Sequence, residues 1–294
     1  MEGSETEGIR ALLSSKPRPV GWTQRRQRLD EVGSVWPVAD DIKLNPADLD
    51  GVPGEWSIAP GSDASRVLIF FHGGGYCSGS VISHRRMVTE AGRAAGTRTL
   101  AVAYRLAPEH SFPAALEDAL TAWRCVRNQG VAAGRIAIGG DSAGGGLTVA
   151  LINRLREGDK EVPGCAWLVS PWVDLTMSGE TLATKDTMDP IIHKAYLGEL
   201  ADAYLPAGMD RKDPRVSPLY ADLKGLPPTL IQVGSAETLL ADATRFAAAA
   251  GAADVPVTLE VWPHMIHAWH LWNAHLEPAR QALTHAGSFI RASL

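Results

Sequence analysis

Cysteine is scarce in this chain. Cys77, Cys125 and Cys165 form neither an even disulfide set nor a CxxC pair, which excludes a disulfide framework and suits a reducing compartment. Long apolar runs are missing too, and none approaches the roughly 20 residues that span a bilayer, so no membrane partner is expected. Basic charge never runs beyond an adjacent pair and the net charge is −5, so nucleic-acid binding has no electrostatic footprint. The short "TQRRQRLDE" reads as the solvated face of a helix. No internal repeat, low-complexity tract or Pro/Gly/Ser-rich linker divides the chain, which favours one large core. The first residues, "MEGSETEG", are acidic and polar where a signal peptide is basic and then apolar, so a cytoplasmic location is the expectation.

What the chain does have is alternation. Hydrophobic residues make up 45% of its 294 positions and charged ones 21%, a composition that can build a packed core. The runs at 66–71, 98–104, 135–139, 165–170, 228–234 and 257–262 are short, apolar and rich in β-branched residues, as buried strands are. Between them lie helical patterns such as "PAALEDALTAWRCVRNQG" and "ADATRFAAAAGAA", several ending in glycine. Strand and helix in turn predict an α/β fold, a mostly parallel sheet with helices on both faces. Two stretches escape the rhythm, residues 1–45 and 177–215, the second reading as helical. They are expected to form a cap over a core made of 46–176 and 216–294.

The chemistry gathers at strand ends. In "RIAIGGDSAGGGLTVALINRL" the G-x-S-x-G pattern of Gly140 to Gly144 stands between a strand and a helix, the setting of a nucleophile elbow around Ser142. Small residues two before and two after the serine let strand and helix approach, and the helix start favours a developing oxyanion. In "VLIFFHGGGYCSGS", glycines after a strand let backbone amides point into a cleft; a phosphate loop is excluded because GxxxxGK[ST] is absent. His72, at the strand end, reads as an anchor of that loop. A serine nucleophile needs a base and the base an orienting carboxylate, in the chain order Ser, acid, His. Glu237 comes first after its strand, whereas Asp242 already belongs to the following helix, so Glu237 is the candidate acid. For the base, the end of the last clear strand offers His264, His267 and His270, and spacing cannot separate His264 from His267.

Taken together, "HGGGYCSGS", "AVAYRLAPEHSFPAALEDAL", "GGDSAGG", "SPWVDLT", "DPRVSPLYADLKGLPPTLIQVGSAETLL" and "HMIHAWH" resemble the bacterial hormone-sensitive-lipase-like esterases, an α/β-hydrolase family, over residues 67–270. The resemblance implies Ser142 as nucleophile, Glu237 as acid and His267 as base, since the family's histidine precedes a small residue and an aromatic, here Ala268 and Trp269. It implies oxyanion donors at Gly73, Gly74 and Ala143, and a supporting role for Tyr104 and Asp118 in bracing the glycine loop. Many members carry aspartate where this chain has Glu237. The implied reaction is hydrolysis of short acyl esters with no metal or organic cofactor. Tyr76, Trp172, Ile192 and Tyr196 are candidates to line the pocket. An amidase would use the same triad, and a non-catalytic receptor of this fold would lack the histidine. The run "VTLEVW" at 257–262, an edge strand with little charge, is the expected seat of a homodimer.

Overall fold

The structure, a computed structural model, describes residues 2–15, 17, 19–158 and 161–294, with the side chains of residues 2–4 outside that description. Met1, Lys16 and Arg18 of the expected N-terminal cap segment thus lie outside the described residues. In chain order the elements are α1 (Glu2–Ser14), α2 (Trp22–Ser34), β1 (Lys43–Leu49), β2 (Val52–Ile58), β3 (Asp63–Phe71), α3 (Val81–Ala95) and β4 (Thr97–Val102). There follow α4 (Ala114–Asn128), β5 (Ile136–Asp141), α5 (Ala143–Glu157), β6 (Cys165–Val169), α6 (Thr181–Thr184), α7 (Lys194–Tyr204), β7 (Thr229–Gly234), α8 (Leu240–Ala252), β8 (Val257–Trp262) and α9 (Glu277–Ser293).

One eight-stranded sheet, in the order β1-β2-β4-β3-β5-β6-β7-β8, runs through the described residues. The six strands expected from the sequence are β3 to β8, and all pair in parallel. The strands not foreseen are β1 and β2, an antiparallel hairpin that also pairs antiparallel with β4. Pro46 and the polar residues of "KLNPADL" disguise an edge strand, where proline is tolerated because one side of the backbone needs no partner. The hairpin signal was there in Asp50-Gly51, both with positive φ, 53° and 90°. The core therefore begins at Lys43, three residues before the expected boundary.

The pleat divides the apolar side chains by parity. Val67, Ile69 and Phe71 of β3 join α4, α5 and α8 in one core layer, while Leu68 and Phe70 join α3 and α9 in the other. Within the expected helical stretch 177–215 only α6 and α7 form. Pro190 removes a backbone donor, and Asp189 Oδ1 takes the amides of Ile191 and Ile192 at 2.9 Å each, so the chain turns there instead. No helix of the described residues is long and apolar enough to cross a membrane. The sheet order reverses at β3: β4 lies on one side of it and β5 on the other. A crevice opens at the carboxyl ends of strands diverging in this way.

Candidate active site

Ser142 sits in that crevice, between the end of β5 and the start of α5. Its backbone is held at φ 54°, ψ −120°, a conformation that costs a side-chain-bearing residue about 1–3 kcal/mol. The surroundings enforce it: Ser142 N donates to Val169 O at 2.9 Å, and Ser142 O accepts from Trp172 N at 2.9 Å and Gly145 N at 3.0 Å. The flanking glycines are there for close approach. A Cβ on Gly144 would stand 1.9 Å from Phe71 O, and one on Gly140 2.3 Å from Gly144 C.

The loops after β7 and β8 bring Glu237 and His267 together. His267 Nδ1 lies 2.7 Å from Glu237 Oε2. With a carboxylate as acceptor, Nδ1 carries the proton and the neutral ring keeps its lone pair on Nε2. Burial disfavours the imidazolium, but the hydrogen bond and charge of Glu237, together with the charges of Asp189 and Asp141, outweigh it, and the pKa of His267 is raised above 6.5. Glu237 is itself fixed through Oε1, which accepts from Ser170 Oγ at 2.7 Å and Gly234 N at 2.6 Å. Ser170, at the end of β6, also accepts from Ala268 N at 3.1 Å, so one hydroxyl ties the acid loop to the histidine loop. Sequence reasoning passed over Ser170, although it opens "SPWVDLT"; only the parallel pairing of β6 with β7 brings it to Glu237.

The other acid and histidine candidates go elsewhere. Asp242 is buried on α8, accepts from Val173 N and Asp174 N at 3.0 Å each, and is pushed by burial up to about 7. His264 is exposed. His270 is buried against Gln232 Oε1 at 2.9 Å, and burial drives its pKa down to about 3.

The glycine loop follows β3. His72 is buried, its ring stacked on Tyr104 at 4.3 Å, and Tyr104 Oη donates to His72 O at 2.7 Å. Burial, with His84 nearby, pushes the His72 pKa down to about 4, so the ring is a neutral anchor. Asp118 turns to Arg105. Its carboxylate takes Arg105 N at 2.7 Å and the Arg105 guanidinium, bracing the residue beside Tyr104. The expectation for Gly73 needs correction: its N–H is spent on Asp141 Oδ1 at 2.8 Å. Asp141 also faces His84 Nε2 at 3.2 Å; burial would raise its pKa, but the charge and hydrogen bond of His84 hold it below the usual carboxylate value. Gly74 and Gly75, by contrast, line the cavity at Ser142, and their amides take no protein acceptor among the described residues.

That cavity, of about 430 Å³, brings Ser142 and His267 to one space. Its walls are mostly apolar and come from α1 and α2 on one side and from residues 190–200 on the other, among them Ile192 and Tyr196. Tyr76 and Trp172 do not line it. Tyr76 is buried and stacked on Tyr204 at 3.9 Å, and Trp172 is fully buried behind it, because the loop carrying Tyr76 is packed under α7. Arg25 of α2 pairs with Glu199 of α7 at 2.9 Å and lies over the Tyr196 ring, so α2 and α7 are joined beside the cavity. Among the described residues no group of three or more His, Cys, Asp or Glu is arranged to hold a metal ion.

A family profile described as the alpha/beta hydrolase fold matches residues 68–271. The chain is 44% identical over its whole length to an acetyl-hydrolase of Streptomyces hygroscopicus, covering 98% of that protein. It is 35% identical over 90% of its length to an esterase of Acinetobacter venetianus, covering 87% of it. A crystal structure of an esterase from the bacterial hormone-sensitive lipase family superposes with a TM-score of 0.96 at 41% identity, over 99% of this chain and 98% of that one.

Proposed function

This chain belongs to the hormone-sensitive-lipase-like branch of the α/β-hydrolases, and we propose that it hydrolyses short-chain carboxylic esters through an acyl-enzyme on Ser142. The observation that carries this reading is the Glu237–His267 hydrogen bond at 2.7 Å beside a cavity that His267 shares with the strained Ser142. His267 Nε2 takes the Ser142 proton as Oγ attacks the ester carbonyl; Glu237 holds the tautomer and stabilises the imidazolium. The amides of Gly74, Gly75 and Ala143 receive the oxyanion, Gly75 replacing Gly73, whose N–H is committed to Asp141. The imidazolium then gives its proton to the leaving alcohol, and water activated by the same ring cleaves the acyl-enzyme.

Steady-state turnover of p-nitrophenyl esters from acetate to dodecanoate tests both class and size. The fixed contact of α2 with α7 gives the cavity a ceiling, so acetate to hexanoate esters are expected to show kcat/KM at least about tenfold above the dodecanoate. Preference for the dodecanoate overturns the short-chain reading. Faster turnover of the matched anilides than of the esters makes the chain an amidase, and no acyl transfer at all makes it a receptor.

We also propose a two-fold dimer through β8. The outer edge of this strand is unpaired among the described residues, and its Leu259 and Val261 are exposed, while α9 meets the strand at Glu260, 3.1 Å from His285, and at the Trp262 ring. Light scattering is expected to give twice the chain mass, and Leu259→Pro to halve it with the circular dichroism spectrum unchanged. A dimer that survives this substitution with the fold intact is held together elsewhere.

A further inference from the structure

Helix α2 presents two stripes of side chains. Arg25, Arg28, Leu29 and Val32, at i, i+3, i+4 and i+7, line the cavity. Arg26, Asp30 and Gly33, at i, i+4 and i+7, grip the segment that follows the glycine loop. Arg26 Nε donates to Cys77 O and Nη2 to Ala107 O, both at 2.9 Å, and Glu109 closes the other side of the guanidinium at 2.6 and 3.0 Å. Asp30 Oδ1 accepts from Ser80 Oγ at 2.5 Å. Gly33 lies so close to Ser83 that a Cβ would stand 2.4 Å from its Cα.

The Arg26 contact leads further than packing. Cys77 O belongs to the peptide unit whose N–H is that of Ser78, and Ser78 N donates to Gly74 O at 3.0 Å. Cys77 N, at 3.2 Å, and Ser78 Oγ, at 2.9 Å, donate to the same carbonyl. Gly74 O in turn belongs to the peptide unit whose N–H is that of Gly75, which lines the cavity at Ser142. A guanidinium thus stands at the head of two peptide units in series, each oriented and polarised by the one before, and the last N–H is that of Gly75, a residue of the cavity wall. Peptide dipoles hydrogen-bonded in series strengthen one another.

We propose that Arg26 is a positioning residue for ester hydrolysis, orienting the Gly75 amide as an oxyanion donor through the Cys77–Ser78 and Gly74–Gly75 peptide units. This rests on the assignment of Gly75 as an oxyanion donor. It gives α2 a second part in the reaction besides walling the cavity, since one helix carries both stripes.

The test compares the full-length wild type with Arg26→Ala, Arg26→Lys and Ser78→Ala, measuring kcat and KM on p-nitrophenyl butyrate and the inhibition constant of a trifluoromethyl ketone, which forms a tetrahedral adduct with a reactive serine. Arg26→Ala is expected to lower kcat by about 10- to 100-fold with KM within about threefold, and to weaken the ketone by a similar factor. Arg26→Lys keeps a cation near Cys77 O and is expected to recover part of both losses. Ser78→Ala leaves the α2 contacts intact and removes one donor to Gly74 O, so kcat and ketone affinity are expected to fall together by about three- to tenfold; this variant decides the matter if Arg26→Ala does not fold. Lower thermal stability with kcat and ketone affinity unchanged overturns the proposal, as does a loss of kcat with ketone affinity intact. A wild type that neither turns over ester nor binds the ketone overturns the hydrolase reading itself.

Discussion

Ser142→Ala is expected to reduce kcat on a short acyl ester by about 10⁴-fold or more while the protein stays folded. The hydroxyl is the only part of the side chain that the reaction consumes. Alanine keeps the Cβ, and the positive φ is enforced from outside the residue by bonds to Val169, Trp172 and Gly145, all made by backbone atoms that survive the change. Stability should therefore be close to that of the wild type, which a thermal melt checks, and the residual rate should reflect only substrate binding and the remaining amides. Mass spectrometry after exposure to a p-nitrophenyl alkylphosphonate supplies the second readout. The wild type should gain one phosphonyl group on the peptide that contains residue 142, and the variant none. Retention of a tenth of the activity by the variant would place the nucleophile elsewhere.

His267→Ala is expected to be about as damaging, because without the imidazole the serine hydroxyl has no acceptor for its proton and the alcohol no donor. His264→Ala should change kcat/KM by less than about threefold, since His264 is exposed and the acid is bound to His267. The pH dependence gives a sharper form of the same claim. His267 acts as base only when neutral, and its pKa is raised above 6.5, so kcat/KM in the free enzyme should fall as pH drops through a value above 6.5. Glu237→Gln removes the hydrogen bond to a carboxylate and the charge that raise this pKa and leaves the burial that lowers it. The acid limb should then move to lower pH, with the plateau reduced by about 10²-fold or more. Equal losses at 264 and 267, or a limb unmoved by Glu237→Gln, would undo the assignment of acid and base.

Much of this protein is determined within short windows of its sequence. Parallel strands such as β5 and β6 announce themselves because they are buried along their whole length and so read as apolar runs, and the elbow because no other residue than glycine fits where Phe71 O comes within 1.9 Å of a would-be Cβ. Ser142 and Glu237 are legible as candidates from motif and chain order, which the string alone carries. What the sequence could not resolve are relations between loops that only the sheet brings together. His264, His267 and His270 are equivalent as a string; Ser170 and Glu237, 67 positions apart, choose among them by binding each other and the histidine loop at the ends of adjacent strands. Likewise "HGGG" offers three amides without saying which is free, and Asp141, delivered from a different strand, takes Gly73 and leaves Gly74 and Gly75 to the cavity. Tyr76 looks like a pocket residue until α7 covers it with Tyr204. A hydrogen bond saturates its donor and a packed ring excludes a ligand, so which candidate remains available to substrate is decided by its neighbours in space.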